Sequence, residues 1–214
     1  MTPQQQSALT AQICAIAPVI PVLVIEDATH ARPLAEALIA GGLSVLEVTL
    51  RTPCALEAIA AMAAVEGATV GAGTLLTPED VRAARAAGAS FGVSPGGTAP
   101  VVDACVAEAL PLLPGAATAT EAMTLMDRGY TVQKFFPAEA IGGAAALKAL
   151  ASPLPQIRFC PTGGIDAARA PAYLSLPNVV CVGGSWVAPK AALAAGDWPE
   201  ITRLARDAAA LPRG

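Results

Sequence analysis

The stretch "TVQKFFPAEA", Thr131–Ala140, decides how this chain is folded. Its first six residues read as a buried strand, rich in β-branched and aromatic side chains. Lys134 interrupts it. Side chains alternate along a strand, so Val132, Lys134 and Phe136 share one face, and Thr131, Gln133 and Phe135 share the other. On a solvated strand an ammonium is harmless. Inside a closed ring of strands it needs a partner or a chemical task, because an unpaired buried charge is costly.

Working outward, short apolar runs alternate with alanine-rich segments of helical period. "PVIPVLVI" (Pro18–Ile25) reads as a first strand, followed by a stripe of Ala31, Leu34, Ala35, Leu38 and Ile39 that stops at Gly41 and Gly42. "SVLEVTL" is the second strand, and Leu56, Ile59, Ala60 and Ala63 mark the helix after it. "ATVGAGT" is the third, before a helix start at Thr77, Pro78 and Asp80: a capping hydroxyl, a first-turn proline and a carboxylate at the positive helix end. "ASFGVS" and "LPLLPG" are the fourth and fifth. Thr118 and Glu121 have capping-box spacing ahead of the next helix. "TVQKFF", "QIRFCPTGG" and "NVVCVGGS" supply the sixth, seventh and eighth strands. An opening helix over about residues 4–17 precedes them all. Eight strand–helix units in 214 residues predict an α/β fold, a (β/α)8 TIM barrel with an extra N-terminal helix, forming one domain over residues 1–214. A doubly wound open sheet shares the alternation, and the unit count favours the barrel.

Composition narrows the function classes. The chain is 54 % hydrophobic with a net charge of −4 and no run of like charge, which argues against a nucleic-acid surface. The N-terminal "MTPQQQSALT" lacks the positive segment of a secretory signal. The longest uncharged apolar stretch, Ile13 to Ile25, is broken by Pro18 and Pro21 and is too short to span a bilayer. These features predict a soluble, cytoplasmic protein without membrane contact. Five scattered cysteines, Cys14, Cys54, Cys105, Cys160 and Cys181, read as buried reduced thiols. His30 stands without metal-ligand spacing, at a surface helix start, so no metal site is expected.

In such barrels, chemistry sits at the C-terminal ends of the strands. On the second strand Val45, Glu47 and Thr49 share a face. If Glu47 and Lys134 both point inward, they meet across the barrel. Burial disfavours the charged amine and a carboxylate favours it. A partly desolvated amine with an acid beside it meets the needs of a Schiff-base nucleophile and its proton carrier. The same pair also reads as a structural ion pair. Gln133 faces the helices, where an apolar residue is expected. "PTGGID" (Pro161–Asp166) and "VGGSW" (Val182–Trp186) each place paired glycines at a strand end before a helix. Backbone N–H groups exposed there bind phosphate, so the pairs Gly163–Gly164 and Gly183–Gly184 are candidate phosphate sites, with Ser185 adding a hydroxyl. Arg51 reads as a carboxylate clamp or a surface arginine. Thr74 and Thr162 read as hydroxyl donors or helix caps. Pro95, within "SPGGT", shapes a loop at the same rim.

The motifs "VLEVTLRT", "GAGT", "SPGGT", "LPG", "KFFPAEA", "RFCPTGG" and "GGSW" occur in the order and spacing of the 2-keto-3-deoxy-6-phosphogluconate aldolases, many of which also act on 4-hydroxy-2-oxoglutarate. The chain resembles that family from about Pro18 to its last helix. The resemblance implies a metal-free and cofactor-free class I aldolase on a (β/α)8 barrel, a homotrimer acting on a phosphorylated 2-keto acid. It places the Schiff-base lysine at Lys134 and the general acid/base at Glu47. It places the carboxylate-binding arginine at Arg51, pyruvyl-lining hydroxyls at Thr74 and Thr162, and phosphate loops at Gly163, Gly164, Gly184 and Ser185. Phe136 falls on an aromatic next to the substrate. Gln133 and Gly97 depart from the pattern, the first standing where an apolar residue is usual and the second where a larger apolar one is. Alternatives are a 6-phosphogalactonate-type aldolase, an isomerase or epimerase working by proton abstraction, and a non-catalytic phosphosugar sensor.

Overall fold

Helix starts in this chain are closed by their own side chains. In the computed structural model, which describes all residues Met1–Gly214, reciprocal capping boxes open three helices: Thr2 with Gln5 at α1 (Pro3–Ala15), Thr77 with Asp80 before Pro78–Ala86, and Thr118 with Glu121 before Ala119–Asp127. In chain order α1 is followed by β1 (Val19–Leu23), α2 (Ala31–Ala40), β2 (Val45–Thr49), α3 (Ala55–Ala63), β3 (Thr69–Gly73), α4 (Pro78–Ala86), β4 (Phe91–Val93) and α5 (Ala99–Ala107). Then come β5 (Leu112–Leu113), β6 (Gly115–Ala116), α6 (Ala119–Asp127), β7 (Val132–Phe135), α7 (Gly143–Ala151), β8 (Arg158–Pro161), α8 (Ala170–Leu174), β9 (Val182–Gly184), α9 (Lys190–Ala195) and α10 (Trp198–Ala209). The fifth predicted strand is thus two pieces, β5 and β6, separated at Pro114, which has no N–H to give a ladder.

Every strand pairing is parallel. Six strands run in the order β5-β4-β3-β2-β1-β9 and three in the order β6-β7-β8. At one junction the chain passes from one sheet to the other through Pro114, whose carbonyl accepts from the Lys134 amide at 2.8 Å. At the other, Phe159 bridges Val179 and Thr162 bridges Gly183. The result is an α/β fold of parallel strands in curled sheets.

The strands bury apolar side chains on both faces, in the parity that alternation requires. Leu46, Val48, Phe135 and Phe159 join Leu34, Leu38, Ile59 and Met62 in the large outer core between strands and helices. Ile20, Val45, Phe91, Val93, Leu113, Val132, Cys160 and Cys181 form a smaller inner cluster that also takes in Cys14 of α1. Helix α1 lies across the N-terminal strand ends and is held there by polar groups. Gln6 Nε2 donates to the Cys105 carbonyl, Thr10 Oγ1 to the Leu112 carbonyl, and Ser7 Oγ accepts from the Thr131 and Val132 amides.

One sequence expectation changes in detail, and the outward-facing Gln133 gains its partners. The buried stripe of α3 is Ala55, Ala58, Ile59 and Met62, whereas Leu56, Ala60 and Ala63 are exposed. In so alanine-rich a helix, little hydrophobic contrast separates neighbouring faces. Gln133 is fully buried, and its side-chain amide donates to the Ala122 and Tyr130 carbonyls, so it ties β7 to α6. The space at Gly97 is taken by Leu125, whose Cδ1 lies 3.0 Å from where a Cβ would stand. No helix is long and apolar enough to cross a membrane.

Candidate active site

Lys134 on β7 and Glu47 on β2 belong to different sheets, yet their side chains meet. Lys134 Nζ is 3.2 Å from Glu47 Oε1, and both residues are only 3 % exposed. This is the inward orientation that strand alternation predicts. The Phe136 ring lies 5.2 Å from Nζ, close enough for a cation–π contact.

Two features behind this pair were not singled out in the sequence. Gly71 and Gly73 present no side chain to the inner face of β3. A Cβ on Gly73 would stand 2.8 Å from Glu47 Cγ and 2.9 Å from its Cδ, and one on Gly71 would press on the Phe91 ring. Glycines two apart on one strand face are the signal: they clear room for Phe91 below and the Glu47 carboxylate above. Cys160 is the direct neighbour of Lys134 in the parallel register. Below it, the thiols of Cys14 and Cys181 are pushed up, Cys14 first by its hydrogen bond with Cys160 and Cys181 by those with Cys14 and Cys160, with burial adding to both.

The remaining predicted residues gather at the C-terminal strand ends. Arg51, just beyond β2 and exposed, donates from Nε to Thr74 Oγ1 at 3.1 Å. Thr74 holds φ +64°, an outlier for a β-branched residue that costs of order 1–3 kcal/mol. The Arg51 bond helps fix that conformation. Pro95 follows Ser94, whose hydroxyl donates to the Leu75 and Gly96 carbonyls. A Cβ on Gly115 would lie 2.7 Å from the Ser94 carbonyl, so this loop packs against β6. Thr162, at the end of β8, is buried, and its hydroxyl has no hydrogen-bond partner in the protein. Gly163 and Gly164 take φ +106° and +78°, a left-handed turn open to residues without a Cβ. Gly184 ends β9 with Ser185 exposed beside it.

A buried amine against a carboxylate, at the C-terminal strand ends and close to a glycine turn, is an arrangement that a lyase working through a Schiff base requires. The comparisons specify this class further. The family model described as "Aldolase: KDPG and KHG aldolase" matches residues 10–204. The KHG/KDPG aldolase of Escherichia coli is 53 % identical over 192 residues, covering 89 % of this chain and 90 % of that protein. The 2-keto-3-deoxy-6-phosphogluconate aldolase of Zymomonas mobilis, solved with 3-phosphoglycerate, superposes with a TM-score of 0.90 at 54 % identity, covering 95 % of this chain and 96 % of that one. The KDPG aldolase of Legionella pneumophila, with pyruvate captured as a covalent carbinolamine intermediate, gives 0.91 at 46 % identity, covering 94 % and 98 %. The chain belongs to the KDPG and KHG aldolase family, whose members are class I aldolases.

Proposed function

We propose that the chain cleaves 2-keto-3-deoxy-6-phosphogluconate to pyruvate and glyceraldehyde 3-phosphate, and 4-hydroxy-2-oxoglutarate to pyruvate and glyoxylate. The observation that carries this reading is the Lys134–Glu47 pair, an amine and a carboxylate 3.2 Å apart in a nearly dry site. In the unprotonated state Lys134 attacks the C2 ketone. Loss of water gives a protonated Schiff base, which is the electron sink. Glu47, through a water, takes the proton from the C4 hydroxyl, and the C3–C4 bond electrons pass into the iminium. The aldehyde leaves, the enamine is protonated at C3, and water releases pyruvate and the free amine. The iminium supplies the electron sink, so the chemistry calls for no metal or cofactor.

Arg51 takes the C1 carboxylate in this reading, Thr74 and Thr162 line the pyruvyl part, and Pro95 and Phe136 border it. The unpartnered Thr162 hydroxyl supports this, since a buried donor without a partner favours a ligand that supplies one. Gly163, Gly164, Gly184 and Ser185 take the phosphate on backbone N–H groups and one hydroxyl. Holding the remote end orients the bond to be broken. We further propose that the two curled sheets are one eight-stranded barrel with α1 as its floor, since β5 and β6 are interrupted only at Pro114 and bridges join β8 to β9. We also propose that residues 1–214 form this one domain and that it works in the cytoplasm as a homotrimer, the oligomeric state being what the family resemblance implies.

The test is intact-mass measurement after pyruvate and borohydride. One adduct is expected on the native chain and none on Lys134→Ala or Lys134→Arg. An adduct on Lys148 or Lys190 overturns the assignment, and none at all favours an isomerase or epimerase using Glu47 as base. With Glu47→Gln, trapping of pyruvate persists while turnover falls by about 10²–10⁴.

A further inference from the structure

The turn offered above as the phosphate site, Thr162 to Asp166, contains two glycines at positive φ. Such a turn is floppy in isolation. A site made of backbone N–H groups works only if those groups already point at the ligand, because ordering them on binding costs affinity. Something must hold the turn, and the structure contains a clasp made of groups outside the reaction site.

Its centre is Glu139, five residues beyond Lys134 on the same connection. The Ala138 amide donates to the Thr162 carbonyl at 2.8 Å, and the Glu139 amide to the Gly163 carbonyl at 3.1 Å. The Glu139 stem lies over the apex: a Cβ on Gly164 would stand 2.8 Å from both Cβ and Cγ of Glu139. The carboxylate then reaches the far side. It accepts from the hydroxyl of Tyr173, a buried residue of α8, and pairs with Arg169 at 3.4 Å. Arg169 also pairs with Asp166, whose Oδ1 accepts from the Ala168 and Arg169 amides. The turn is therefore gripped at its start by the Ala138 and Glu139 amides and at its apex and end by the Glu139 side chain, all on the connection that follows the strand holding the amine. Burial, reinforced by the Glu139 carboxylate, pushes the Tyr173 hydroxyl well above its ordinary value, so it remains a donor throughout the working pH range.

We propose that Glu139 is a positioning residue that sets the preference for phosphorylated substrates, by fixing the Gly163–Gly164 apex of the turn through Tyr173 and Arg169. The inference rests on the reading of this turn as the phosphate site. It assigns Glu139 no contact with substrate and no part in bond cleavage. The electrostatic balance agrees: a bare carboxylate beside a phosphate would repel it, and Arg169 with the Tyr173 hydroxyl offsets that charge.

The experiment compares 2-keto-3-deoxy-6-phosphogluconate with 4-hydroxy-2-oxoglutarate on the full chain. Glu139→Ala raises KM for the phosphorylated substrate by about tenfold, the loss of roughly one good polar interaction. KM for the unphosphorylated substrate and the pyruvate adduct at Lys134 are unchanged. Glu139→Gln, which keeps the stem and an acceptor for Tyr173, restores KM to within about twofold. Tyr173→Phe, which removes one hydroxyl, shifts KM in the direction of Glu139→Ala and serves where the alanine variant folds poorly. Equal losses on both substrates would reduce Glu139 to a general prop and overturn the proposal. So would an unchanged KM in Glu139→Ala alongside a raised one in Ser185→Ala. If Ser185→Ala also leaves KM for the phosphorylated substrate unchanged, the phosphate reading itself fails instead.

Discussion

Gly73 carries no functional group, yet it sets where the acid stands. The Glu47 carboxylate fills the space a side chain at 73 would occupy. Gly73→Ala must displace either the carboxylate or the β3 backbone, and the carboxylate is the softer of the two. We expect it to lower kcat by about 10²-fold, the usual effect of misplacing a reacting group by an ångström, with little loss of thermal stability. Steady-state kinetics and a melting curve on one sample check both halves. At this scale the sequence was readable wherever alternation applies. Lys134 and Glu47 point inward because Val132 and Val45, two residues away, do the same. For Gln133 the outward face was readable and the partners were not. Its partners are the carbonyls of Ala122 on α6 and of Tyr130 just before β7, and no side-chain pattern announces backbone atoms.

Helix α6 shows what an element adds. Its capping box places Glu121 against the Ala117 and Thr118 amides, and the Ala117 amide above all holds its carboxyl below the ordinary 4.5. A depressed folded value means stability that is present above 4.5 and lost as pH falls through the folded value. The native melting temperature should therefore drop more between about pH 6 and pH 3 than that of Glu121→Gln, by a small margin because the side chain is largely exposed. Equal slopes in the two proteins would refute it. The cap matters to the site because α6 also supplies the Ala122 carbonyl behind β7. Element boundaries were legible where capping residues or glycines punctuate the chain, as at Thr77, Thr118, Gly41 and Gly42. They were less so where Pro114 splits one predicted strand into β5 and β6. The face of α3 was missed because alanine is equally at home on either side of a helix. The docking of α1 was also hidden, since it is fastened by Gln6, Ser7 and Thr10 rather than by an apolar stripe.

At the scale of the molecule, the Lys134–Glu47 pair is a polar link between two sheets inside an otherwise apolar interior. Such a pair is a poor way to gain stability, because desolvating two charges offsets most of their attraction. If its purpose is chemistry, stability and activity should separate on mutation. Lys134→Met leaves the Glu47 carboxylate buried without its partner, and the loss should be about 3–5 kcal/mol. Adding Glu47→Gln removes the stranded charge, so the double variant Lys134→Met/Glu47→Gln should regain most of that loss while remaining inactive. Denaturant unfolding of the native, single and double variants measures the cycle, and pyruvate trapping confirms the inactivity. A double variant as unstable as Lys134→Met would mean that the ion pair itself holds the sheets together. The fold would then need its buried charges to stand. Recovery would mean that the strands, the inner cluster of Val45, Phe91, Val132 and Cys160, and the docked α1 suffice to build this interior, as expected if the two charges are held there for the proposed reaction.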